Sequence, residues 1–243
     1  MSLAGKRALV TGASGALGTA IARRLARDGA AVVLHANSRP DAVQALAAEI
    51  VATGGQATVQ VFDLTDAVAA EAACERMLAE GPVQIIVNNA GVHDDAVFPA
   101  MRAEQWHRVI DVSLHGFFHV TRPLLLPMLR TRWGRVINIS SVAALMGNRG
   151  QVNYAAAKGA LNSATKALSL EVAGRGVTVN AVAPGIIQSP MADAVFDPKA
   201  VAEMVPARRA GTPDEVAALV GFLASAEAGY ITGQVISING GMA

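Results

Sequence analysis

The 243-residue sequence has little of what several classes of protein depend on. It contains one cysteine, Cys74, so no intramolecular disulfide can form and a secreted, cystine-rich scaffold is excluded. Its 20 basic and 19 acidic side chains leave a net charge of +1, without the positive excess typical of a nucleic-acid-binding surface. The sequence contains no run of eighteen apolar residues, which is about the length needed to cross a bilayer. We therefore expect neither a nucleic acid nor a membrane as a partner.

Aromatic residues are also scarce, at 4% of the chain, whereas 52% of residues are hydrophobic and glycine occurs 23 times. Such a composition suits helices packed closely on a sheet better than a sandwich or a barrel. Lys6 and Arg7 precede a short apolar stretch, but Thr11 and Gly12 interrupt it before it reaches the length of a signal-peptide core. The sequence predicts a cytoplasmic protein with one domain, residues 1–243, and no metal site.

Seven short β-rich apolar runs alternate with segments that carry apolar residues at helical spacing, such as Leu17, Ile21 and Leu25. Buried runs separated by crossover helices predict a parallel, doubly wound α/β sheet of the Rossmann type, in which ligands bind beyond the carboxyl ends of the strands. The segment 185–210 predicts a loop with short helical pieces and is a candidate substrate lid. The predicted strands are Arg7–Val10, Ala31–Leu34, Thr58–Phe62, Val83–Val87, Arg135–Ile139, Val177–Val182 and Gln234–Ile238.

A glycine-rich turn, from Thr11 to Gly18, follows the first predicted strand and leads directly into a predicted helix. Small residues there let the backbone approach a pyrophosphate, whose charge is met by free N–H groups and the positive end of the helix dipole. The same pattern also occurs as a tight turn without a ligand. The candidate phosphate-binding residues are Gly12, Ser14, Gly15, Leu17 and Gly18.

The second predicted strand is followed by Asn37, Ser38 and Arg39, at the distance from the turn where an NAD-specific site places an acid on the ribose hydroxyls. No acid is present there. Arg39 can instead hold a 2′-phosphate through charge-assisted hydrogen bonds, or it can be a solvated loop arginine. His35 is interpreted as an ordinary strand-end histidine. The sequence favours NADP(H) as the cofactor.

Two further predicted strands end in polar residues at the same sheet edge. Asp63, followed by Leu64, can accept a hydrogen bond from an adenine amino group, or it can be a turn or capping residue ahead of the next helix. The fourth strand runs into Asn88, Asn89, Ala90 and Gly91, which also suit a simple turn.

Ser141, Tyr154 and Lys158 form the strongest candidate catalytic group. Tyr154 and Lys158 are four residues apart in a segment of helical composition, so their side chains leave the same helical face. A neighbouring ammonium stabilises a phenolate, and we therefore expect Lys158 to lower the pKa of Tyr154 from its usual value of about 10. Ser141 follows a predicted strand and can hydrogen-bond a substrate carbonyl. A Tyr–Lys pair alone is more often a surface pair, but the three residues together predict proton delivery to a ketone oxygen.

These features occur in one order and spacing along the chain, and they resemble the short-chain dehydrogenase/reductase family over essentially the whole length. Within that family the sequence is most similar to 3-oxoacyl-[acyl-carrier-protein] reductases, in segments 147–154 and 179–185 and in the ending 239–242. The motifs that carry the family resemblance are Thr11-Gly12 to Gly18, Asn88-Asn89-Ala90-Gly91, Ser141, Tyr154-x-x-x-Lys158 and Pro184-Gly185.

The resemblance implies that Tyr154 is the general acid and that Ser141 orients the carbonyl. It implies two roles for Lys158, which would tune Tyr154 and hold the nicotinamide ribose. The groups implied to fix the carboxamide of the nicotinamide are at Pro184, Gly185, Ile187 and Ser189.

Two positions depart from the family pattern. The family usually has a glycine where Ala16 stands, and the added methyl group is expected to crowd the pyrophosphate. Its fourth catalytic residue, an asparagine that supports a water in a proton relay, aligns with Ser113. Ser113 is therefore a candidate catalytic residue. We expect the serine in place of the asparagine to lower the turnover rate of the enzyme without changing its fold.

The function implied is NADPH-dependent reduction of a 3-ketoacyl thioester, carried by an acyl carrier protein, in fatty acid or polyketide-like assembly. The alternatives are a reductase of a free small ketone, sugar or steroid, and a weakly active NADP-binding partner subunit. The resemblance also implies a homotetramer, formed through the Ser113 and Tyr154 segments and the final strand. Arg132 and Arg175 match arginines that dock the acidic carrier, and we expect them to form a basic patch beside the active-site mouth, although both can be solvated loop arginines.

Overall fold

The computed structural model describes residues 2–189 and 197–243. Its strands are β1 Arg7–Val10, β2 Ala31–Ala36, β3 Gln56–Val61, β4 Ile85–Asn88, β5 Gly134–Ile139, β6 Val177–Pro184 and β7 Val235–Ile238. All of them are parallel and lie in one sheet in the order β3-β2-β1-β4-β5-β6-β7. The predicted α/β fold class, a Rossmann-like doubly wound sheet of seven parallel strands, is confirmed.

Helices cover both faces of this sheet. The helices in the described ranges are α1 Ala16–Arg27, α2 Pro40–Ala52, α3 Ala67–Ala79, α4 Ala103–Ile110, α5 Gly116–Arg130, α6 Ala143–Met146, α7 Val152–Val172, α8 Pro198–Met204 and α9 Pro213–Ala224. Apolar residues of α1, α2 and α9 pack on one face, and those of α3, α5 and α7 pack on the other. None of the helices in these ranges is long and apolar enough to span a bilayer.

Local sequence signals set several helix ends. Asp66 caps α3 by accepting hydrogen bonds from the amides of Val68 and Ala69. Thr212 and Glu215 form a capping box at the start of α9. After α7 and a short 3₁₀ turn, Gly176 adopts a left-handed conformation with φ +75°, as expected for a residue that ends a helix.

The structure moves at least one boundary of every predicted strand except β1, by one or two residues. β2 continues to Ala36 because His35 and Ala36 pair with Gln60 and Val61 of β3. His35 is therefore the penultimate residue of β2, near the strand end as expected, and it is paired with β3. The register with the neighbouring strand, which the sequence does not display, decides where pairing stops. β4 begins at Ile85, since its pairing with β1 starts there.

The segment predicted as a substrate lid is partly described. Residues 190–196, including Pro190, lie outside the described residues. The described part contains α8, which Asp197 caps through the amide of Lys199, and an isolated bridge joins Ile187 to Gly211. A short helical piece within this segment is thus confirmed.

A π-helical turn, Asp111–His115, joins α4 to α5 and includes Ser113. Such turns disturb the regular hydrogen-bond ladder and occur frequently at functional sites. The turn lies against α7, which carries Tyr154 and Lys158.

Candidate active site

The glycine turn adopts its compact conformation because glycine, which has no side chain, occupies the positions where the backbone makes its closest contacts. Gly12 has φ +64°, and a Cβ atom there would lie 2.9 Å from Cα of Ala90. A Cβ atom on Gly18 would collide with the carbonyl oxygen of Gly12 and lie 2.8 Å from Nδ2 of Asn89. Gly15 precedes α1 without a side-chain cap, so the first amides of the helix are left for an anion. Ala16, the departure from the family pattern, is the exposed first residue of α1.

Asn89 fastens this turn to the end of β4. Its Nδ2 donates hydrogen bonds to the carbonyl oxygens of Thr11 and Gly12, at 2.8 and 3.2 Å. The Thr11 hydroxyl accepts from the amides of Asn89 and Ala90, both at 3.0 Å. Asn89 therefore supports the glycine turn and is more than a simple turn residue. Thr11, absent from the predicted binding residues, could have been found as a hydroxyl placed where the first strand meets the turn.

A cavity of about 1150 Å³ opens over the carboxyl ends of the strands, a volume suited to a large ligand. Its lining includes all the predicted cofactor-binding residues together with Ser141. These lining residues are Gly12, Ser14, Gly15, Leu17, Gly18, Asn37, Ser38, Arg39, Asp63, Leu64, Asn89, Ala90, Gly91, Tyr154, Lys158, Pro184, Gly185, Ile187 and Ser189. The glycine cradle and the size of the cavity fit a dinucleotide, and the individual binding roles stay predictions.

Asn37, Ser38 and Arg39 are exposed at the rim of this cavity. Among the described residues, no carboxylate forms an ion pair with Arg39. The guanidinium is therefore available to an anionic ligand. Arg23, which the sequence analysis did not single out, also lines the cavity but is held by both carboxylate oxygens of Glu49, at 2.6 and 2.7 Å. Its helical spacing from the glycine turn is the signal that could have revealed it.

Asp63 forms a local turn as well as lining the cavity. Its Oδ1 accepts hydrogen bonds from the amide and the hydroxyl of Thr65, both at 2.8 Å. The helix cap of α3 is Asp66, and not Asp63. The interpretation of Asp63 as a turn residue is thus correct. A contact between Asp63 and the adenine stays a prediction.

Ser141, Tyr154 and Lys158 converge at one side of the cavity. Ser141 follows β5, and its Oγ accepts from the amide of Ala143 at 3.1 Å and hydrogen-bonds the Tyr154 side chain. Lys158 is buried, donates from Nζ to the carbonyl oxygen of Ile139 at 2.8 Å, and lies 5.7 Å from the centre of the Tyr154 ring.

Burial raises the pKa of Tyr154 above its usual value of 10; the hydrogen bond from Ser141 opposes this increase and the charge of Asp95 adds to it. The net shift of the Tyr154 pKa is therefore upward, and its causes are burial, Ser141 and Asp95 rather than Lys158. The expected effect of Lys158 on the pKa of Tyr154 stays a prediction. Burial also lowers the pKa of Lys158 to about 8. At neutral pH the phenol keeps its proton, which suits a proton donor.

A polar clamp holds the segment after β4 against the start of α7. The Nδ2 of buried Asn153 donates to the carbonyl oxygens of Asp94 and Gln105, at 3.0 and 3.1 Å. Gln151 donates to the carboxylate of Asp95 at 2.8 Å. The clamp positions Asp95 near Tyr154. This clamp was not predictable from the sequence, since a buried asparagine beside a tyrosine has no local signature.

Ser113 is buried, and among the described residues its Oγ has no hydrogen-bond partner. It does not line the cavity, but it lies close to Lys158. A Cβ atom built on Gly91 would be 3.1 Å from Lys158 Nζ and 3.7 Å from Ser113 Oγ, so both polar groups lie close to Gly91. Ser113 therefore supplies a buried hydroxyl without a partner near a buried ammonium.

Arg132 and Arg175 lie away from this cavity. Both precede the amino ends of strands, Arg132 before β5 and Arg175 before β6. Their segments meet there, because the Gly134 amide donates to the carbonyl oxygen of Gly176. The length of β5 separates them from Ser141 by about 20 Å. Arg132 also has φ +53°, in the left-handed region.

Comparison with known proteins matches residues 6–200 to the family described as short chain dehydrogenase. The chain is 44% identical over 245 residues to the 3-oxoacyl-[acyl-carrier-protein] reductase FabG of Escherichia coli (strain K12), covering 100% of this chain and 99% of that protein. It is 43% identical over 236 residues to the protein of the same name from Aggregatibacter actinomycetemcomitans, covering 96% and 98%. It is 45% identical over 245 residues to Nodulation protein G of Rhizobium sp. (strain N33), covering 99% and 98%.

Proposed function

The chain belongs to the short chain dehydrogenase family, and from that premise we propose that it reduces a 3-ketoacyl thioester, carried by an acyl carrier protein, to the 3-hydroxyacyl form with NADPH. It is an oxidoreductase that acts on the CH–OH/C=O couple. The observation that carries the proposal is the convergence of Ser141, Tyr154 and Lys158 at the side of a dinucleotide-sized cavity. The 3-oxoacyl-[acyl-carrier-protein] reductases among its relatives support the choice of substrate.

The residues of the chain perform the proton chemistry. Bound NADPH supplies the hydride that reduces the carbonyl carbon. Ser141 donates a hydrogen bond that orients the ketone oxygen, and Tyr154 donates its proton to the same oxygen as the charge on it develops. Lys158, with one donor engaged by Ile139, has further donors for the nicotinamide ribose. The part of the cavity where the carboxamide of the nicotinamide would be held is bordered by Pro184, Gly185, Ile187 and Ser189.

Ser113 is proposed as the residue that supports reprotonation of Tyr154. Its hydroxyl and the Lys158 ammonium both lie close to Gly91. A water bound between these two groups would accept a hydrogen bond from the lysine and donate one to the serine. The shorter side chain replaces the amide expected at this position, so the relay has one polar group fewer.

One assay tests the substrate. Purified protein is mixed with NADPH and either carrier-linked 3-ketoacyl thioesters, short free thioesters or free ketones, and the loss of NADPH absorbance is followed. We expect the carrier-linked thioesters to have the highest kcat/KM. Preference for a free ketone would favour the alternative reductase, and binding of NADPH without turnover of any substrate would favour a partner subunit.

NADPH is expected to be preferred over NADH, because the exposed guanidinium of Arg39 can bind the 2′-phosphate. Arg39→Ala should reduce the preference, measured as the ratio of kcat/KM values, by about 1–3 kcal/mol, or roughly fivefold to 150-fold. Arg27→Ala is the matched control, since Arg27 is also an exposed arginine but does not line the cavity. Equal kcat/KM for the two cofactors in the unmodified protein would contradict the prediction.

The protein is proposed to be a homotetramer. Phe118 and Leu126 on α5 and Leu170 on α7 are at least half exposed, which suits surfaces covered by other copies. Sedimentation equilibrium at micromolar concentration should give about four times the 24.9 kDa of one chain. Leu170→Glu should shift the distribution toward smaller species, whereas a monomer for the unmodified protein would count against the assembly.

Docking of the carrier by Arg132 and Arg175 stays a prediction. In one protomer both residues lie at the sheet edge opposite the catalytic residues. Docking there would therefore have to present the acyl chain to a neighbouring copy, and it depends on the proposed assembly.

A further inference from the structure

His35 lies beneath the cavity, and none of the roles described above uses it. Its side chain is buried within β2, with 1% of the residue exposed. The amide of Gly12 donates a hydrogen bond to His35 Nδ1 at 3.1 Å, and His35 Nε2 lies 2.9 Å from the carbonyl oxygen of Phe62. A carbonyl oxygen only accepts, so Nε2 carries the proton and Nδ1 is the acceptor. The contacts select the neutral ring in one tautomer.

The backbone of His35 supports the same turn. Its carbonyl oxygen accepts from the amide of Ala13 at 2.8 Å. Two consecutive N–H groups of the glycine turn, those of Gly12 and Ala13, are thus held by one residue. Because Gly12 has a positive φ and lies against Ala90, a small rotation of this peptide would change the shape of the phosphate cradle.

The other ring nitrogen contacts the segment that follows β3. The His35 and Phe62 rings are in contact, with centroids 4.4 Å apart. Phe62 is followed by Asp63 and Leu64, which line the cavity where the adenine is expected. A single imidazole therefore spans from the turn after β1 to the segment after β3.

We propose that His35 is a positioning residue for the dinucleotide, which sets the glycine turn relative to the Asp63–Leu64 segment through its two ring nitrogens. The inference rests on the proposed use of a nicotinamide cofactor and concerns how tightly the protein binds it. His35 does not touch the reacting atoms, so its effect should appear in binding and not in the chemical step.

The state of the ring at working pH is consistent with this role. Burial lowers the pKa of His35 to about 4, against the smaller opposing effects of the Phe62 hydrogen bond and the charge of Asp63. The imidazole is therefore neutral at neutral pH and keeps Nδ1 as an acceptor for Gly12.

Three substitutions separate the two contacts. His35→Asn keeps an acceptor near the position of Nδ1, His35→Gln keeps a donor near the position of Nε2, and His35→Leu removes both. The dissociation constant of NADPH is measured by fluorescence titration of the full-length protein without substrate. We expect His35→Leu to raise it about tenfold to a hundredfold, since a buried amide is left unsatisfied. His35→Asn should recover most of the affinity, and kcat at saturating NADPH should change less than about twofold in each folded variant.

Asn180→Leu is the matched structural control. Asn180 is also a buried side chain that bridges two backbone groups, donating to the Ile231 carbonyl oxygen at 2.7 Å and accepting from the Gln234 amide at 3.1 Å. Its removal should lower the melting temperature without weakening NADPH binding.

The outcomes separate this inference from the proposed function. If the unmodified protein binds NADPH and all three His35 variants bind it equally well, the positioning role is overturned while the proposed reaction stands. If His35→Leu does not fold, the comparison of His35→Asn with His35→Gln decides, because equal affinities for these two would contradict the role of Nδ1. Absence of NADPH binding to the unmodified protein would overturn both.

Discussion

Tyr154→Phe is expected to lower kcat for ketone reduction about a hundredfold to ten-thousandfold, the range typical for loss of a general acid. The substitution removes the phenolic O–H and keeps the ring, which is half-buried at the cavity wall. The dissociation constant of NADPH should therefore change less than about threefold. Steady-state kinetics and a fluorescence titration measure the two quantities.

Tyr230→Phe is the matched control for this substitution. The chain has two tyrosines, and Tyr230 is fully exposed. It should have unchanged kcat and unchanged NADPH affinity. If Tyr154→Phe retained the kcat of the unmodified protein, Tyr154 would not be the proton donor.

Lys158→Met is expected to lower kcat about tenfold to a thousandfold and also to weaken NADPH binding, because the ammonium serves both the phenol and the ribose. Methionine keeps an aliphatic side chain of similar length in a site that is almost completely buried. Removing a buried ammonium also removes its desolvation cost, so the melting temperature without cofactor should stay the same or rise. A loss of activity with a stable fold would show a functional role for the amine.

The pH dependence of kcat/KM provides a second measurement of the role of Lys158. The pKa of Lys158 is lowered to about 8 by burial, so the ammonium is present below that pH and is lost as the pH rises through it. We expect kcat/KM of the unmodified protein to decrease above about pH 8. The pH profile of Lys158→Met should lack this alkaline limb, that is, the decrease above about pH 8. Lys166→Met, an exposed lysine on the same helix α7, should leave both the rate and the profile unchanged. An identical limb in Lys158→Met would mean that another group titrates.

Features with local causes were predictable from the sequence. The parallel sheet followed from short buried runs alternating with helical spacing, because both periodicities are set by backbone geometry. The glycine turn was recognisable since only small residues allow its close approaches at Gly12 and Gly18. The common face of Tyr154 and Lys158 followed from their spacing of four on one helix.

The position of Arg132 and Arg175 could also have been predicted from the sequence. Both come just before predicted parallel strands, and a residue that precedes such a strand lies at its amino end, whereas the ligands bind at the carboxyl end. The resemblance to docking arginines placed them beside the mouth of the site, and the strand direction places them at the opposite edge of the same protomer.

The sequence alone determined which residues meet at the carboxyl edge of the sheet, since strand direction and helical spacing are encoded by neighbouring residues. The tertiary structure decided the chemical state of those residues. The pKa of Tyr154 is raised and not lowered because its burial and its proximity to Asp95 depend on packing between α7 and a loop about sixty residues earlier. In the same way, His35 contacts both the glycine turn and the segment after β3 only because of the register of β2 against β3 and the path of the glycine turn. Desolvation and long-range hydrogen bonding arise from distant residues brought together by the fold, so no local pattern in the sequence records them.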